Sequence, residues 1–118
     1  MGSATPSVEQ LRKAVENRDA SAMKALYAPD AVLTIIDTLN PPSKPRVIKG
    51  AVEIGSYLDD VCGRDMTHVL EYGIVDGNKL AFLERCAYAG GMRVAASCTA
   101  ELGLGGIVRQ TTVQAWDG

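Results

Sequence analysis

The chain has 118 residues, of which 47% are apolar and 22% charged, with a formal net charge of −2. That describes one domain with enough apolar material for a real core. It excludes a basic nucleic-acid surface, and no apolar run approaches the ~18 residues of a membrane span.

A single domain is expected over 1–118, with residues 1–6 disordered or tag-derived. Met1-Gly2-Ser3 reads as a cloning scar, and MGSATPS lacks the basic-then-apolar pattern of a signal peptide. Ser7-Val8-Glu9-Gln10 fits a capping box, and Val8, Leu11, Ala14 and Val15 follow as a helical stripe. Asp19 can cap a second helix from Ala20 to Leu26, with Met23, Leu26 and Tyr27 inward. Ala28-Pro29-Asp30 ends it, because proline cannot continue the ladder. Val32 to Asp37 is β-branched and reads as a strand. Three prolines between Thr38 and Arg46 predict a stiff loop, and Val47-Ile48 a short extended piece. Gly50 opens a third helix in which Ile54, Tyr57, Leu58 and Val61 form one stripe, and Gly63 ends it.

Four strands then follow as a meander: Met66 to Val75, Lys79 to Tyr88, Met92 to Leu102 and Ile107 to Trp116. Asp76-Gly77-Asn78 is a hairpin signal, since Gly and Asn accept positive φ. The order α-α-β-α-β-β-β-β predicts an α+β fold with a mainly antiparallel sheet.

Cys62, Cys86 and Cys98 are odd in number and match no CxxC or zinc spacing. They are expected to be reduced, buried thiols in a cytoplasmic protein. One histidine, His68, excludes a multi-histidine metal site, and no metal or cofactor is expected. GxSxG, P-loop and GxGxxG motifs are absent from the sequence.

Three segments carry a likeness. Asn17-Arg18-Asp19-Ala20 through Tyr27-Ala28-Pro29-Asp30-Ala31-Val32 follows a "GD…L-Y-A-x-D-A" pattern. Ile48-Lys49-Gly50-Ala51-Val52-Glu53-Ile54 follows "I-x-G-x-x-x-I". The last two strands, joined at Gly105-Gly106, end in Val113-Gln114-Ala115-Trp116. With these in order over about residues 7–116, the chain resembles the NTF2-like superfamily, in the branch of SnoaL-like polyketide cyclases and ketosteroid isomerases. The resemblance implies a curved sheet wrapped round helices as a cone, with an apolar pocket open at one end. It also implies a homodimer paired through the outer sheet face.

The isomerase residues do not carry over. The position of the general base falls on Ile35, and that of the oxyanion tyrosine on Leu11. The second oxyanion donor falls on Cys98, Thr99 or Ala100. That chemistry needs acids and a tyrosine at these places, so the classical steroid isomerase pattern is absent.

Asp37 shares a strand face with Leu33 and Ile35, one step nearer the expected mouth. There it is read either as a base with a raised pKa or as a solvated cap of the Asn40-Pro41 turn. His68 shares a face with Leu70, Tyr72 and Ile74. It is read either as a proton partner of Asp37 or as a strand-end histidine. Tyr57 and Leu58 match pocket positions on the third helix. On the last strand Val108, Gln110, Thr112, Gln114 and Trp116 share a face, which lines the pocket or lies outside it. Val94, Ala96, Cys98 and Ala100 form a small-residue face that leaves room for a ligand or for a helix. Glu84 and Arg85 are adjacent, so they face opposite ways.

Two functions follow. The first is a SnoaL-like enzyme that abstracts a proton α to a carbonyl without a cofactor, as an isomerase or cyclase. Its catalytic residues would be Asp37 and His68. Its ligand, small and apolar or oxygenated, would lie against Leu11, Leu33, Ile35, Tyr57, Leu58, Ala96, Cys98, Thr112, Gln114 and Trp116. The second is a non-catalytic module that binds a hydrophobic ligand or dimerises.

Overall fold

The computed structural model describes residues 6–117. The expectation for residues 1–6 lies outside the described residues except at Pro6, which is buried. Helix α1 (Val8–Glu16) starts as its capping box requires. Gln10 N donates to Ser7 Oγ at 3.0 Å, and Ser7 N donates to Gln10 Oε1 at 2.8 Å. Asp19 caps α2 (Ala20–Lys24) by accepting from Ala22 N at 3.0 Å.

Helix α2 is shorter than the sequence predicts, and strand β1 (Tyr27–Ile36) begins where the helix is expected to end. The strand runs through Pro29. Pro29 falls where the pairing of β1 with its neighbour slips, between Tyr27↔Ile107 and Val32↔Arg109. An irregular register asks no N–H of a proline. Val47-Ile48 belongs to a full strand, β2 (Arg46–Lys49), which makes the sheet six-stranded. Helix α3 is Ala51–Gly63. The meander is β3 (Met66–Asp76), β4 (Lys79–Tyr88), β5 (Arg93–Gly103) and β6 (Gly106–Trp116).

The sheet order is β2-β1-β6-β5-β4-β3. Its pairs are antiparallel except β1 with β6, which is parallel. This is the α+β class expected, with the three helices packed on one sheet face. Burial alternates along β5, where Val94, Ala96, Cys98, Ala100 and Leu102 point in. Leu33, Ile35, Ile54 and Ile107 are the largest fully buried side chains, each stabilising the fold by about 1.5–3 kcal/mol.

Two irregularities break this alternation. Strand β3 carries an extra residue between Glu71 and Ile74, with Tyr72 at φ 54°. His68 and Leu70 therefore point in, whereas Tyr72 and Ile74, expected on their face, are exposed. At Gly73 an added Cβ would lie 2.5 Å from Val8 Cγ1, so the bare backbone lets α1 approach. The second shift lies between Glu101 and Leu102, where Ile107 takes the inward place the sequence assigns to Val108. Among the described residues no helix is long and apolar enough to cross a membrane.

The β5–β6 turn joins the helices to the sheet at one point. Ile107 N donates to Leu26 O at 2.8 Å, and Gly106 sits at φ 119° with space for a Cβ only 2.4 Å from that carbonyl. Gly106→Ala is expected to cost about 3 kcal/mol by urea unfolding, from strain and overlap together. Gly77→Ala, also at positive φ but in open space, should cost about 1 kcal/mol. Equal losses would contradict the close-approach account.

Candidate functional site

A cavity of about 350 Å³ lies between the helices and the inward sheet face. Leu11 of α1, Leu33 and Ile35 of β1, and Tyr57 and Leu58 of α3 stand on its walls. So do Ala96 and Cys98 of β5, and Thr112, Gln114 and Trp116 of β6. Asp37 and His68 line it as well. One end is exposed, where Trp116 is 37% accessible and stacks on Tyr88 at 5.8 Å between ring centroids. At that end the Arg46 guanidinium lies 5.3 Å above the Tyr57 ring, and Arg64 donates to the Tyr88 hydroxyl at 2.9 Å.

Asp37 occupies this end in the second of its two readings. Strand β1 stops at Ile36 and the chain turns. Asp37 Oδ1 accepts from Leu39 N at 3.0 Å, Asn40 N at 2.9 Å and Asn40 Nδ2 at 2.9 Å. The prolines that follow stiffen the loop, and the carboxylate closes its first turn. Asp37 Oδ1 is thus engaged in closing this turn, while the residue also lines the cavity.

His68 is buried, with its side chain 4% exposed. The partner the sequence leaves unpaired is Glu84. His68 Nδ1 lies 2.7 Å from Glu84 Oε1 and 3.2 Å from Cys86 Sγ. A carboxylate only accepts, so in the neutral ring the hydrogen is assigned to Nδ1 and the lone pair to Nε2. Nε2 is buried and has no hydrogen-bond partner among the described residues. One donor atom from each of His68, Glu84 and Cys86 lies within 4.8 Å of the others. Glu84 was legible on a different comparison: Leu80, Phe82, Glu84 and Cys86 alternate along β4, with an acid in an apolar row. Its adjacency to Arg85 hides that. Arg85 faces outward and pairs with Glu71.

A second polar chain runs through the core. The Tyr27 hydroxyl donates to Gln110 Oε1 at 2.8 Å, and Gln110 Nε2 donates to Thr112 Oγ1 at 3.0 Å. Thr112 Oγ1 lies 3.5 Å from Cys98 Sγ. Burial raises the Tyr27 phenol far above its ordinary value, with the nearby Cys98, Tyr57 and Glu84 adding to it. Burial also pushes the Cys86 thiol up to about 12, helped by the Glu84 charge and hydrogen bond. Cys98 is pushed up to about 12 by burial against a small opposing hydrogen bond from Thr112. Tyr57 and Cys62 are raised by burial too. All three thiols are free, but Cys62 is only half-buried, unlike the expectation for it.

The model of the SnoaL-like domain family matches residues 8–104. No curated protein matches the chain. Among solved structures, an NTF2-like protein of unknown function from Mesorhizobium loti superposes with a TM-score of 0.76 at 19% identity, over 93% of this chain and 87% of that one. A ketosteroid isomerase-like protein from Kribbella flavida DSM 17836 gives 0.74 at 16% identity, over 93% and 74%. A computationally designed 17-OHP binder gives 0.65 at 18% identity, over 93% of each chain. Identities this low establish the fold alone.

The raised acids fix the sign of an alkaline effect. Each keeps its proton longer when folded, so the unfolded chain releases protons first as the pH rises. The stability they contribute is fully present below their ordinary values of 9.0 and 10.0. It is lost as the pH climbs from about 9 toward 12. The urea midpoint should hold steady between about pH 7 and 8.5 and fall above that. A midpoint that stays level to about pH 11 would contradict this burial of the thiols and phenols.

Proposed function

The chain belongs to the SnoaL-like domain family, and from that premise we propose that it is an isomerase- or cyclase-type enzyme which moves a proton α to a carbonyl in its cavity. The observation that carries the reading is His68 Nε2, a buried nitrogen with no partner on a ring that lines the cavity. Leaving such a group unsatisfied costs about 1–3 kcal/mol, a cost that a bound carbonyl compound offering a C–H or O–H would relieve. Glu84 fixes the tautomer through Nδ1 and stabilises the imidazolium that forms, as a carboxylate does behind a general base.

The base role passes from Asp37 to His68, and Glu84 becomes its orienting residue. No cofactor is needed, because the proton moves between substrate and imidazole. The substrate is a small organic molecule with an apolar body, which suits Leu33, Ile35 and Leu58. Its oxygen atoms would meet Tyr57, Thr112 and Gln114. Binding without catalysis is the second reading, and the designed 17-OHP binder, which shares the fold, favours it.

The protein is also proposed to pair as a homodimer through the outward sheet face, where Val69 is 50% and Val113 47% exposed. A monomer in sedimentation at micromolar concentration would count against that pairing.

Deuterium exchange α to the carbonyl, followed over a panel of enolisable ketones, tests the enzyme. His68→Asn should lower the rate by roughly 10²–10⁴. Glu84→Gln should lose a similar amount through the wrong tautomer, and Asp37→Asn should change it less than about threefold. A loss at Asp37→Asn as large as that at His68→Asn would return the base role to Asp37. Ligand binding with no exchange in the wild type would select the second reading.

A further inference from the structure

The His68, Glu84 and Cys86 side chains have a second capacity that proton transfer does not use. They stand on one sheet face, with His68 directly opposite Cys86 across the β3–β4 pair and Glu84 two residues back along β4. Their donor atoms lie within 4.8 Å of one another. We propose that these three side chains form a site for a soft divalent cation of the zinc class, and that its occupancy switches the His68 tautomer.

The donor chemistry selects the ion. One thiolate, one imidazole and one carboxylate are the nitrogen, sulfur and oxygen ligands that zinc accepts, whereas magnesium and calcium want oxygen alone. Three protein ligands leave a fourth tetrahedral position, and all three residues line the cavity, so that position opens toward bound water or ligand. Charge favours it too: a dication with one carboxylate and one thiolate is neutral overall, which suits a buried place.

The fit needs a small adjustment. Usual zinc bond lengths and tetrahedral angles set N···O and N···S edges of about 3.4 and 3.6 Å. The present separations are 2.7 and 3.2 Å. An opening of about 0.4–0.7 Å makes room: rotation of the Glu84 side chain widens the N···O edge and rotation of the Cys86 or His68 side chain the N···S edge.

Binding moves protons in a defined way. The Cys86 thiol gives its proton to solvent as the sulfur–metal bond forms. His68 Nδ1 must offer its lone pair, so its hydrogen leaves and Nε2 takes one up. Nε2 then becomes a donor, and the orphaned acceptor disappears. If Nε2 is the base proposed above, the ion silences it. That last step rests on the proton-transfer reading, and the metal site does not.

The test uses untagged protein stripped with a chelator and titrated with cobalt(II). One equivalent should bind, with a thiolate-to-cobalt charge-transfer band, and zinc should displace it. Cys86→Ser should lose the band, His68→Asn should bind at least about tenfold more weakly, and Cys62→Ser should behave as wild type. His68 is the sole histidine, so its ring nitrogens are read without ambiguity by nitrogen-15 NMR in the wild type. Zinc should move the proton from Nδ1 to Nε2. This reading stands even if a variant fails to fold. No cobalt binding at millimolar metal, a band that survives Cys86→Ser or depends on Cys62, or an unmoved His68 tautomer with zinc bound would each overturn the proposal. None of these readouts uses turnover, so failure of the enzyme reading is scored separately.

Discussion

The sheet covers its helices with one face, so it admits only every second side chain to the interior. Everything polar that takes a buried inward place needs a partner there, because an unmet group costs about 1–3 kcal/mol. Along β6 this rule is met by a chain: Gln110 takes the Tyr27 hydroxyl on one side and gives to Thr112 on the other. Along β3 and β4 it is met at His68 Nδ1, by Glu84, and left unmet at Nε2. The two sites differ in kind. The first is closed, with donors matched to acceptors, and serves the core. The second is open by one atom.

The open site exists because of an irregularity at Tyr72-Gly73, a few residues before the hairpin turn. Near the turn Val75 pairs with Leu80 and Ile74 with Ala81. Continued without interruption, that register would set His68 opposite Ala87, on the outward face. The extra residue between Glu71 and Ile74 moves the pairing by one, and a one-residue slip exchanges the two faces of a strand. His68 then stands opposite Cys86, on the same face as Glu84. Tyr72 takes the strain at φ 54°, and its ring is turned out to solvent at 74% exposure. The bulge also brings Gly73 under Val8, which anchors α1 against β3. One local kink therefore aims the histidine and seats the first helix.

This explains what the sequence could and could not convey. Capping boxes, glycine turns and alternation are short-range signals, and they located α1, α3 and all four meander strands to within a residue or two. The end of β1 was less legible, because hydrophobic character continues through Ile36 while the strand's partner decides where pairing stops. Asp37 follows the last paired residue, and its turn depends on Asn40, not on Ile35. The His68–Glu84 contact was hidden more deeply. It joins two strands through a register that a bulge has shifted, and no spacing along the chain records that shift. Parity alone would have flagged Glu84 as an acid in the row Leu80, Phe82, Cys86.

A histidine ring has two nitrogens and one exchangeable proton in its neutral form, so whatever Nδ1 touches decides what Nε2 is. With a carboxylate at Nδ1, Nε2 is an acceptor; with a cation there, it is a donor. Glu84 and Cys86 supply both circumstances at one atom, since the carboxylate holds the proton and the thiol completes a metal's ligand set. While no cation is present, the Glu84 carboxylate at 2.7 Å from Nδ1 favours the neutral ring with the acceptor at Nε2. A lone aspartate offers no such choice, because it has no second ring nitrogen to exchange roles with, and one of its oxygens is engaged in shaping a turn. In the proposed reading, which species sits on the sheet side of one imidazole decides whether its far nitrogen accepts or donates.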